Sequence, residues 1–407
     1  MGKITKYFGQ TIFSQIFSLI PLKEIISIIS NGGYDKYTKK FNSIDHLITL
    51  LYGVLKGFDS LREITNDLSI NEKRLKKSGL SKAPSRSTIS DANNRRSASF
   101  FGNVYSMLYG LYANFLSNIS DSGSQKWLRL LHVIDSTTIT LFSSILKGAG
   151  RNPISGKKKG GIKSHCIMRY YANVPFFVRF TSAATHDSVM NKLIDLAAGS
   201  IIAMDRAYID YALFERFTSQ GVIYVTKMKK SLTYEVEGEE LFVVSPDGLV
   251  EVRIKTVLFR KGDLCHKARM VTYWEKNKKK AATLITNDFT MDYVDIINIY
   301  RKRWAIELLF KQLKQNFQLH TFYGESVNAI ESQIWVTLIA NLLMTVVQRK
   351  AEAKSSSGKK YFSNIMTITR AMMLYYINLY KLLADPEAEC NNVFEDATQL
   401  SLPLFKT

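Results

Sequence analysis

The sequence predicts an α/β fold class in which a mixed β-sheet is preceded and followed by helices. Up to about residue 118 the apolar side chains recur three and four positions apart, which is the period of helices. After about residue 127, short apolar runs alternate with helical stretches, as in folds built on a partly parallel sheet. Beyond about residue 300 the helical period returns.

The chain is long and strongly basic. Its 407 residues carry a net charge of +20, which allows more than one domain and favours a polyanionic partner. Membrane surfaces are the alternative polyanion, but no apolar run reaches the roughly 18 to 20 residues that span a bilayer. The longest run, residues 334–347, is interrupted by Asn341. With no secretion signal and three cysteines lacking CxxC spacing, we expect a cytoplasmic protein with reduced thiols and no membrane partner.

Residues 1–120 form a predicted helical domain, and one of its helices is a candidate for binding DNA. Residues 44–55 predict one amphipathic helix, and Asp59 is the expected cap of the next. Ser85 or Ser87 can begin a short helix that runs to about residue 96. Its predicted outward residues are Ser90, Asn93, Asn94 and Arg95. Such a helix suits the major groove of DNA, although an ordinary polar surface helix is an equal alternative.

Residues 127–228 predict the first part of a catalytic core. The apolar run at 130–134 reads as a buried strand ending in Asp135, with β-favouring residues continuing to 140. Further strands are predicted at 165–171, 176–182, 201–204 and 222–228, with helices at 188–198 and 209–219. This order, βββαβαβ, is that of a ribonuclease-H-like fold.

The rest of the chain interrupts and then completes this core. Residues 229–280 predict a β-rich insertion, because short strands there are divided by turn signals. Residues 281–350 predict the second part of the core, with a strand at 282–286 and helices at 300–317 and 327–349. Residues 351–407 predict a helical C-terminal region, with a flexible linker at 355–358 and a helix at 361–384.

Two buried strands each end in an aspartate. Asp135 follows the first and Asp205 follows the run at 201–204, so both carboxylates can meet at one edge of the sheet, where ligands commonly bind. A helix cap or loop role is an equal alternative for Asp205. The basic, glycine-rich stretch 157–163 predicts a mobile loop or hairpin tip near phosphate, which makes Lys163 a candidate DNA contact.

The stretch 300–317, YRKRWAIELLFKQLKQNF, predicts one amphipathic helix. At about 100° per residue its polar stripe is narrow. The stripe holds a carboxylate among cations and a tyrosine: Tyr300, Arg303, Glu307 and Lys314, with Lys311 beside it. A solvated face with ion pairs four residues apart is the plain interpretation. The more specific hypothesis is a metal-binding carboxylate flanked by groups that bind phosphate.

Asp135, Asp205 and Glu307 together would suit two hard divalent cations, since such ions prefer oxygen ligands. Two ions about 4 Å apart can activate an attacking water or hydroxyl and stabilise the leaving oxygen of a phosphodiester. Zinc is not favoured, because the six histidines and three cysteines show no ligand spacing. A serine or cysteine nucleophile with a histidine base is equally unsupported.

These residues resemble the DDE superfamily of bacterial insertion-sequence transposases, in the branch with a Y-R-E-K signature, the family of insertion sequence four. The signature spaces Tyr, two residues, Arg, three, Glu, six, Lys, and this chain matches every interval with Tyr300, Arg303, Glu307 and Lys314. The stretches at 133–137 and 205–214 are similar to the family's first and second aspartate motifs. Lys163-Ser164-His165 and His186-Asp187 resemble elements that recur between them. The resemblance covers residues 133–347.

The resemblance implies a cut-and-paste transposase with two Mg²⁺ ions held by Asp135, Asp205 and Glu307, Mn²⁺ being able to substitute. It implies a homodimer acting on the terminal inverted repeats of its element and on target DNA, in the bacterial cytoplasm at the nucleoid. It also implies that some members stack a flipped base on a tryptophan of the insertion, where Trp274 is the candidate. Another ribonuclease-H-like nuclease, such as a resolvase, and a non-catalytic DNA-binding regulator derived from a transposase are the alternatives.

Overall fold

The computed structural model describes residues 9–117, 125–140, 161–244, 251–275, 280–317, 319–353 and 360–391. Two compact units result: unit 1 joins Met1–Leu116 to Gln312–Thr407, and unit 2 is Ser117–Lys311. The C-terminal helices therefore belong to the same unit as the N-terminal helices. The sequence pattern instead predicts separate N-terminal and C-terminal helical regions and places all of residues 281–350 with the catalytic core.

The helices, in chain order, are α1 Ile12–Phe17, α2 Leu22–Gly32, α3 Ser43–Lys56, α4 Leu61–Leu75, α5 Arg86–Arg95, α6 Ser99–Ser117, α7 Tyr211–Ser219, α8 Tyr293–Lys302, α9 Trp304–Asn316, α10 Val327–Glu352, α11 Phe362–Met372 and α12 Leu379–Ala384. The strands are β1 Leu131–Thr140, β2 Gly161–Arg169, β3 Pro175–Ser182, β4 Ile201–Met204, β5 Ile223–Lys227, β6 Glu235–Val244, β7 Glu251–Lys261, β8 Leu264–Glu275 and β9 Lys280–Thr286.

Polar side chains begin the N-terminal helices. The Asn42 side chain accepts from the Asp45 amide at the start of α3, and the Ser85 side chain accepts from the Thr88 amide at the start of α5. Each such bond satisfies one of the amides that a helix start leaves unpaired. The predicted cap at Asp59 is wrong, because Ser60 is the residue that caps α4.

Helix α10 is the core of unit 1. It is the one described helix long and apolar enough to span a membrane, but 89% of its apolar window is buried inside the protein. It packs against α3, α5 and α11, so its apolar surface is already covered by other helices. The predicted helix at 361–384 is two helices, α11 and α12, and the predicted linker at 355–358 lies outside the described residues.

His46 on α3 is fully buried and should make unit 1 sensitive to acid. Burial lowers its pKa from 6.5 to about 3, with a hydrogen bond to Asn93 acting in the opposite direction. Because the unfolded chain binds this proton more readily than the folded chain does, the contribution of His46 to stability is complete above pH 6.5 and falls as the pH drops below that value. Between pH 7 and pH 5 the loss should be about 2 kcal/mol.

The measurement is thermal unfolding of the full chain at pH 7 and pH 5, beside His46→Gln. Glutamine keeps a side chain able to bond Asn93 but cannot titrate, so its unfolding temperature should fall less between the two pH values. Equal falls in both proteins would show that His46 is not the source of the sensitivity.

Unit 2 is built on a nine-stranded sheet of order β3-β2-β1-β4-β5-β9-β8-β7-β6. β1, β4 and β5 are parallel, whereas β2 and β3 are antiparallel additions beside β1. Order 3-2-1-4-5 with this mixture of directions is the ribonuclease-H-like arrangement, and the predicted fold class is confirmed. Helix α7 packs on β5 and β8, and α8 packs on β4, β5 and β9.

The predicted insertion extends the same sheet. β6, β7 and β8 form successive antiparallel pairs, and β9 lies between β8 and β5. The β7–β8 turn needs only Gly262 and Asp263 between the paired residues Lys261 and Leu264. Gly262 has φ 60° there, a conformation that glycine adopts without steric cost.

Two predicted helices are wrong. The stretch 188–198 contains only a 3₁₀ segment, Asp187–Leu193, followed by irregular backbone. The stretch 300–317 is not continuous, because α8 ends at Lys302, Arg303 forms a turn, and α9 starts at Trp304. Gly161, Ile162 and Lys163 also differ from the predicted loop, since they begin β2, whereas residues 157–160 lie outside the described residues.

Candidate active site

Asp135 and Asp205 come from neighbouring parallel strands. The last pair in the β1–β4 register joins Ile134 to Met204, so the two aspartates occupy the next equivalent positions. Adjacent strands lie about 4.8 Å apart. β1 does not end at Asp135 as predicted but continues to Thr140, paired with β2. Its pairing with β4 ends at Ile134, so Asp135 is the first residue beyond that pairing. The side chain of Asp205 also accepts from the Ala207 amide.

Arg303 joins the first aspartate to the glutamate of α9. Its Nη1 donates to Asp135 Oδ2 at 2.8 Å, and its Nη2 donates to Glu307 Oε1 at 2.6 Å. The break between α8 and α9 falls at this residue. Arg303 Nε is buried and has no hydrogen-bond partner within the described part of the chain. One donor of the guanidinium is therefore left for a ligand oxygen.

The surroundings of Asp135 disfavour its negatively charged form. Burial is the main reason that the pKa of Asp135 rises to about 6. The Ser136 amide and Arg303 act in the opposite direction, while Asp205 and Glu307 raise this pKa further. Asp205 and Glu307 are therefore both close enough to Asp135 for their charges to act on it. A cation placed among them would be stabilised.

The donor set fits a hard divalent cation, since the three converging side chains are carboxylates. Within the described ranges, no group of His, Cys, Asp and Glu side chains is already arranged around a metal position. In this structure the guanidinium of Arg303 forms ion pairs with both Asp135 and Glu307. Asp135, Asp205 and Glu307 could hold a metal once Arg303 releases at least one of its carboxylates.

A family model described as Transposase DDE domain matches residues 126–343, which is more than half of the 407 residues. The chain belongs to this family. The match contains Asp135, Asp205 and Glu307. A second model, described as a domain of unknown function (DUF4372), matches residues 8–81.

Proteins with sequences similar to this chain are also named as transposases. The transposase is 27% identical over 271 residues to a protein named as transposase y4zB of Sinorhizobium fredii, covering 66% of this chain and 72% of that protein. It is 24% identical over 261 residues to a protein named as a transposase of insertion sequence element IS5377 of Geobacillus stearothermophilus, covering 64% of this chain and 68% of that protein. The resemblance to DDE insertion-sequence transposases is confirmed.

One solved structure is also similar to the transposase. It is a piggyBac transposase synaptic complex with hairpin DNA, and the match covers 99% of this chain and 84% of that chain at 11% identity and a TM-score of 0.43. A score this low does not establish a shared fold. The ribonuclease-H-like arrangement of the transposase is established by its own strand order.

A fourth carboxylate supports the first aspartate. The Ser136 hydroxyl donates to Asp187 Oδ1 at 2.6 Å, and Lys163 Nζ lies 3.4 Å from the same oxygen. His165 Nδ1 lies 3.5 Å away, and burial lowers the pKa of this histidine to about 4. The sequence pattern marks the stretches that contain Lys163, His165 and Asp187, but it does not indicate a role for Asp187. Its contact with Ser136 fixes the backbone beside Asp135.

Of the other residues of unit 2 that are predicted to contact DNA, some form contacts within the protein and others are exposed. Lys163 donates to the Thr185 carbonyl at 2.7 Å as well as contacting Asp187, so its predicted role at DNA remains a prediction. Arg303 lies over the Tyr300 ring at 5.8 Å, and burial raises the pKa of this tyrosine. Lys311 on α9 and Trp274 on β8 are exposed. Their predicted roles in gripping DNA and stacking a base also remain predictions.

The remaining predicted contacts belong to unit 1. Lys314 on α9 is exposed, as are Asn94 and Arg95 on α5. Asn93 is 1% exposed, and the prediction that it faces outward is wrong. Its amide bonds His46 Nε2 and the Tyr323 carbonyl inside the core. A helix as short as α5 needs apolar packing from Ile89 and Ala92, and Asn93 falls on that same side.

Proposed function

We propose that this transposase moves an insertion sequence by a cut-and-paste route. It binds the terminal inverted repeats as a homodimer, cuts phosphodiester bonds at the element ends, and joins the freed ends to target DNA. The work takes place in the bacterial cytoplasm at the nucleoid. The observation that supports this most directly is that Arg303 donates to both Asp135 and Glu307, while the charges of Asp205 and Glu307 both act on Asp135.

The family implies dependence on divalent metal ions in general, and we propose two Mg²⁺ ions, with Mn²⁺ able to substitute. Asp135, Asp205 and Glu307 would hold them, and when bound they would activate the attacking oxygen and stabilise the leaving one. Asp187 and Ser136 keep Asp135 oriented. Arg303 neutralises the carboxylates in the metal-free protein and offers its unpaired Nε to a phosphate oxygen.

The direct test is incubation of the full chain with Mg²⁺ and DNA that carries candidate terminal repeats from the flanking genome. Cleavage at the repeat boundary followed by joining of a 3′ end to target DNA is expected. Cleavage without joining would favour a different ribonuclease-H-like nuclease. Specific binding with neither reaction would favour a non-catalytic regulator.

We also expect α5 to read the end sequence through Asn94 and Arg95. Replacing either exposed residue with alanine should reduce the preference for end DNA over random DNA, because base contacts specify while phosphate contacts only position. Titration of both duplexes with the full chain measures this preference. Asn93→Ala should instead lower thermal stability by roughly 1 to 3 kcal/mol, since it leaves buried polar groups unpaired. Unchanged preference in both exposed variants would place end recognition elsewhere.

A further inference from the structure

The exposed face of α5 is a ridge of polar and charged side chains. At about 100° per residue, Ser87 and Asn94 lie at the centre of this face, with Arg86 and Arg95 at its two edges. All four are exposed. The opposite side of the helix is buried in unit 1. Asp91 is exposed on the same face, between Ser87 and Arg95. The ridge thus presents polar side chains and one carboxylate near its crest and a positive charge on each flank.

A groove runs along each side of this ridge. One has a volume of about 820 Å³ and is lined by residues 32–34, 36–39 and 41 at the end of α2 and in the loop after it, by the α5 residues Thr88, Asp91, Ala92 and Arg95, and by Arg96, Ser97 and Ser99. The other has a volume of about 570 Å³ and is lined by Ser60, Leu61 and Arg62 at the start of α4, and by Arg86, Ser87, Ser90 and Asp91 of α5.

Both grooves are basic. Lys36, Lys39 and Arg95 line the first, and Arg62 and Arg86 line the second. None of these five side chains forms an ion pair with any residue in the described ranges. Among the described residues that line the grooves, Asp91 is the only acidic one, and it lines both. Exposed cations without ion-pair partners among the described residues, on both flanks of a polar helix, match the charge pattern of duplex DNA.

Tyr37, in the loop of the first groove, is held in an unfavourable conformation. Its φ is 66° and its side chain is 90% exposed, with Lys36 Nζ lying 5.3 Å from the ring centre. Left-handed backbone is uncommon for a bulky residue. No packing of the ring inside the protein compensates for it, and such strain is concentrated at functional positions.

We propose that α5 enters the major groove of DNA, that the two flanking grooves hold its two sugar–phosphate backbones, and that Tyr37 packs against the backbone on one side. The dimensions agree: a helix with its side chains is about 10–12 Å across and the major groove is about 12 Å wide. Lys36 and Lys39 then contact one strand, and Arg62 contacts the other. The inference rests on DNA as the partner in the proposed function and assigns the surface that binds it.

Charge removal tests the two sides separately. The full chain is titrated without metal, in EDTA, against an end duplex and a scrambled duplex over a range of salt concentrations. Lys39→Ala and Arg62→Ala should each weaken binding of both duplexes about fivefold near 0.1 M salt and reduce the salt slope by about 1. Lys381→Ala, an exposed lysine of α12 that lines neither groove, should change nothing. Wild-type binding by either groove variant would overturn the two-sided arrangement.

Tyr37→Gly distinguishes the effect of backbone strain at residue 37 from the effect of contact between the tyrosine side chain and DNA. Glycine adopts positive φ freely, so this variant should unfold at the same temperature as the wild type or higher, while its affinity for both duplexes falls several-fold. Tyr37→Phe should keep most of the affinity. Unchanged affinity in Tyr37→Gly would remove the tyrosine from the interface.

Binding in EDTA also separates this inference from the proposed chemistry. If the wild type binds through both grooves but does not cut DNA in Mg²⁺, the surface stands and the catalytic proposal fails. If the wild type cuts end DNA while Lys39→Ala and Arg62→Ala bind and cut normally, the catalytic proposal stands and the surface is wrong.

Discussion

Asp135→Ala, Asp205→Ala and Glu307→Ala should each abolish DNA cleavage while DNA binding persists. Each variant removes one of the three proposed metal-binding carboxylates, Asp135 and the two carboxylates whose charges act on it. Even groups behind a metal ligand can change activity by about 10- to 100-fold, so loss of a ligand should exceed about 100-fold. Binding should hold or tighten, because a repulsion between carboxylate and phosphate disappears. Cleavage is followed on labelled end DNA in Mg²⁺, and binding is followed in EDTA.

The matched control is Asp263→Ala, which removes an exposed carboxylate from the β7–β8 turn of the same unit. It should cut DNA at the wild-type rate. Near-normal cleavage by Asp135→Ala, Asp205→Ala or Glu307→Ala would remove that residue from the site. Loss of DNA binding together with cleavage would indicate misfolding, which thermal unfolding of the same preparations would reveal.

Arg303→Ala should impair hairpin formation at the element end more than the first nick. A transposase that joins the first 3′ hydroxyl to the opposite strand must bend the DNA end, and unstacking bases costs on the order of a few kcal/mol. The buried Nε of Arg303, unpaired among described residues, and the adjacent Tyr300 ring can hold the displaced nucleotide and its phosphate. We therefore expect Tyr300→Ala to show the same pattern. Nicked, hairpin and fully cut products are resolved on a denaturing gel.

A second measurement uses Arg303→Ala without DNA. The guanidinium neutralises Asp135 and Glu307 at 2.8 and 2.6 Å, so its removal should tighten binding of Mn²⁺, measured by calorimetry, by about tenfold. Arg301→Ala removes an exposed arginine two residues away and should leave both results unchanged. Equal loss of nick and hairpin would mean that Arg303 positions DNA for every step. Absence of any hairpin in the wild type would exclude this route.

Local patterns predicted the strands of the core well. The run at 201–204 coincides with β4, and the run at 222–228 contains β5. Both are short, apolar and covered on two faces, so every residue carries the signal of burial. The β-rich insertion was also predicted, because its turns are marked by glycine and polar residues.

Elements governed by distant contacts were predicted poorly. The predicted helix at 300–317 is interrupted at Arg303, and the guanidinium of this residue contacts Asp135 of β1, 168 residues away. Asn93 is a polar residue of the kind usually found at the surface, but its side-chain amide forms hydrogen bonds with His46 and the Tyr323 carbonyl inside the core. No local pattern reports such partners, since they are far away in sequence.

The sequence by itself identified the candidate residues, through the spacing of Tyr300, Arg303, Glu307 and Lys314 and through two aspartates that follow buried strands. Only the tertiary structure decided how they meet. The parallel register of β1 and β4 puts Asp135 beside Asp205, and the turn at Arg303 brings Glu307 to them. Strand register and ion pairing across 168 residues depend on the packing of the whole sheet, whereas helix and strand periods are set by neighbours along the chain.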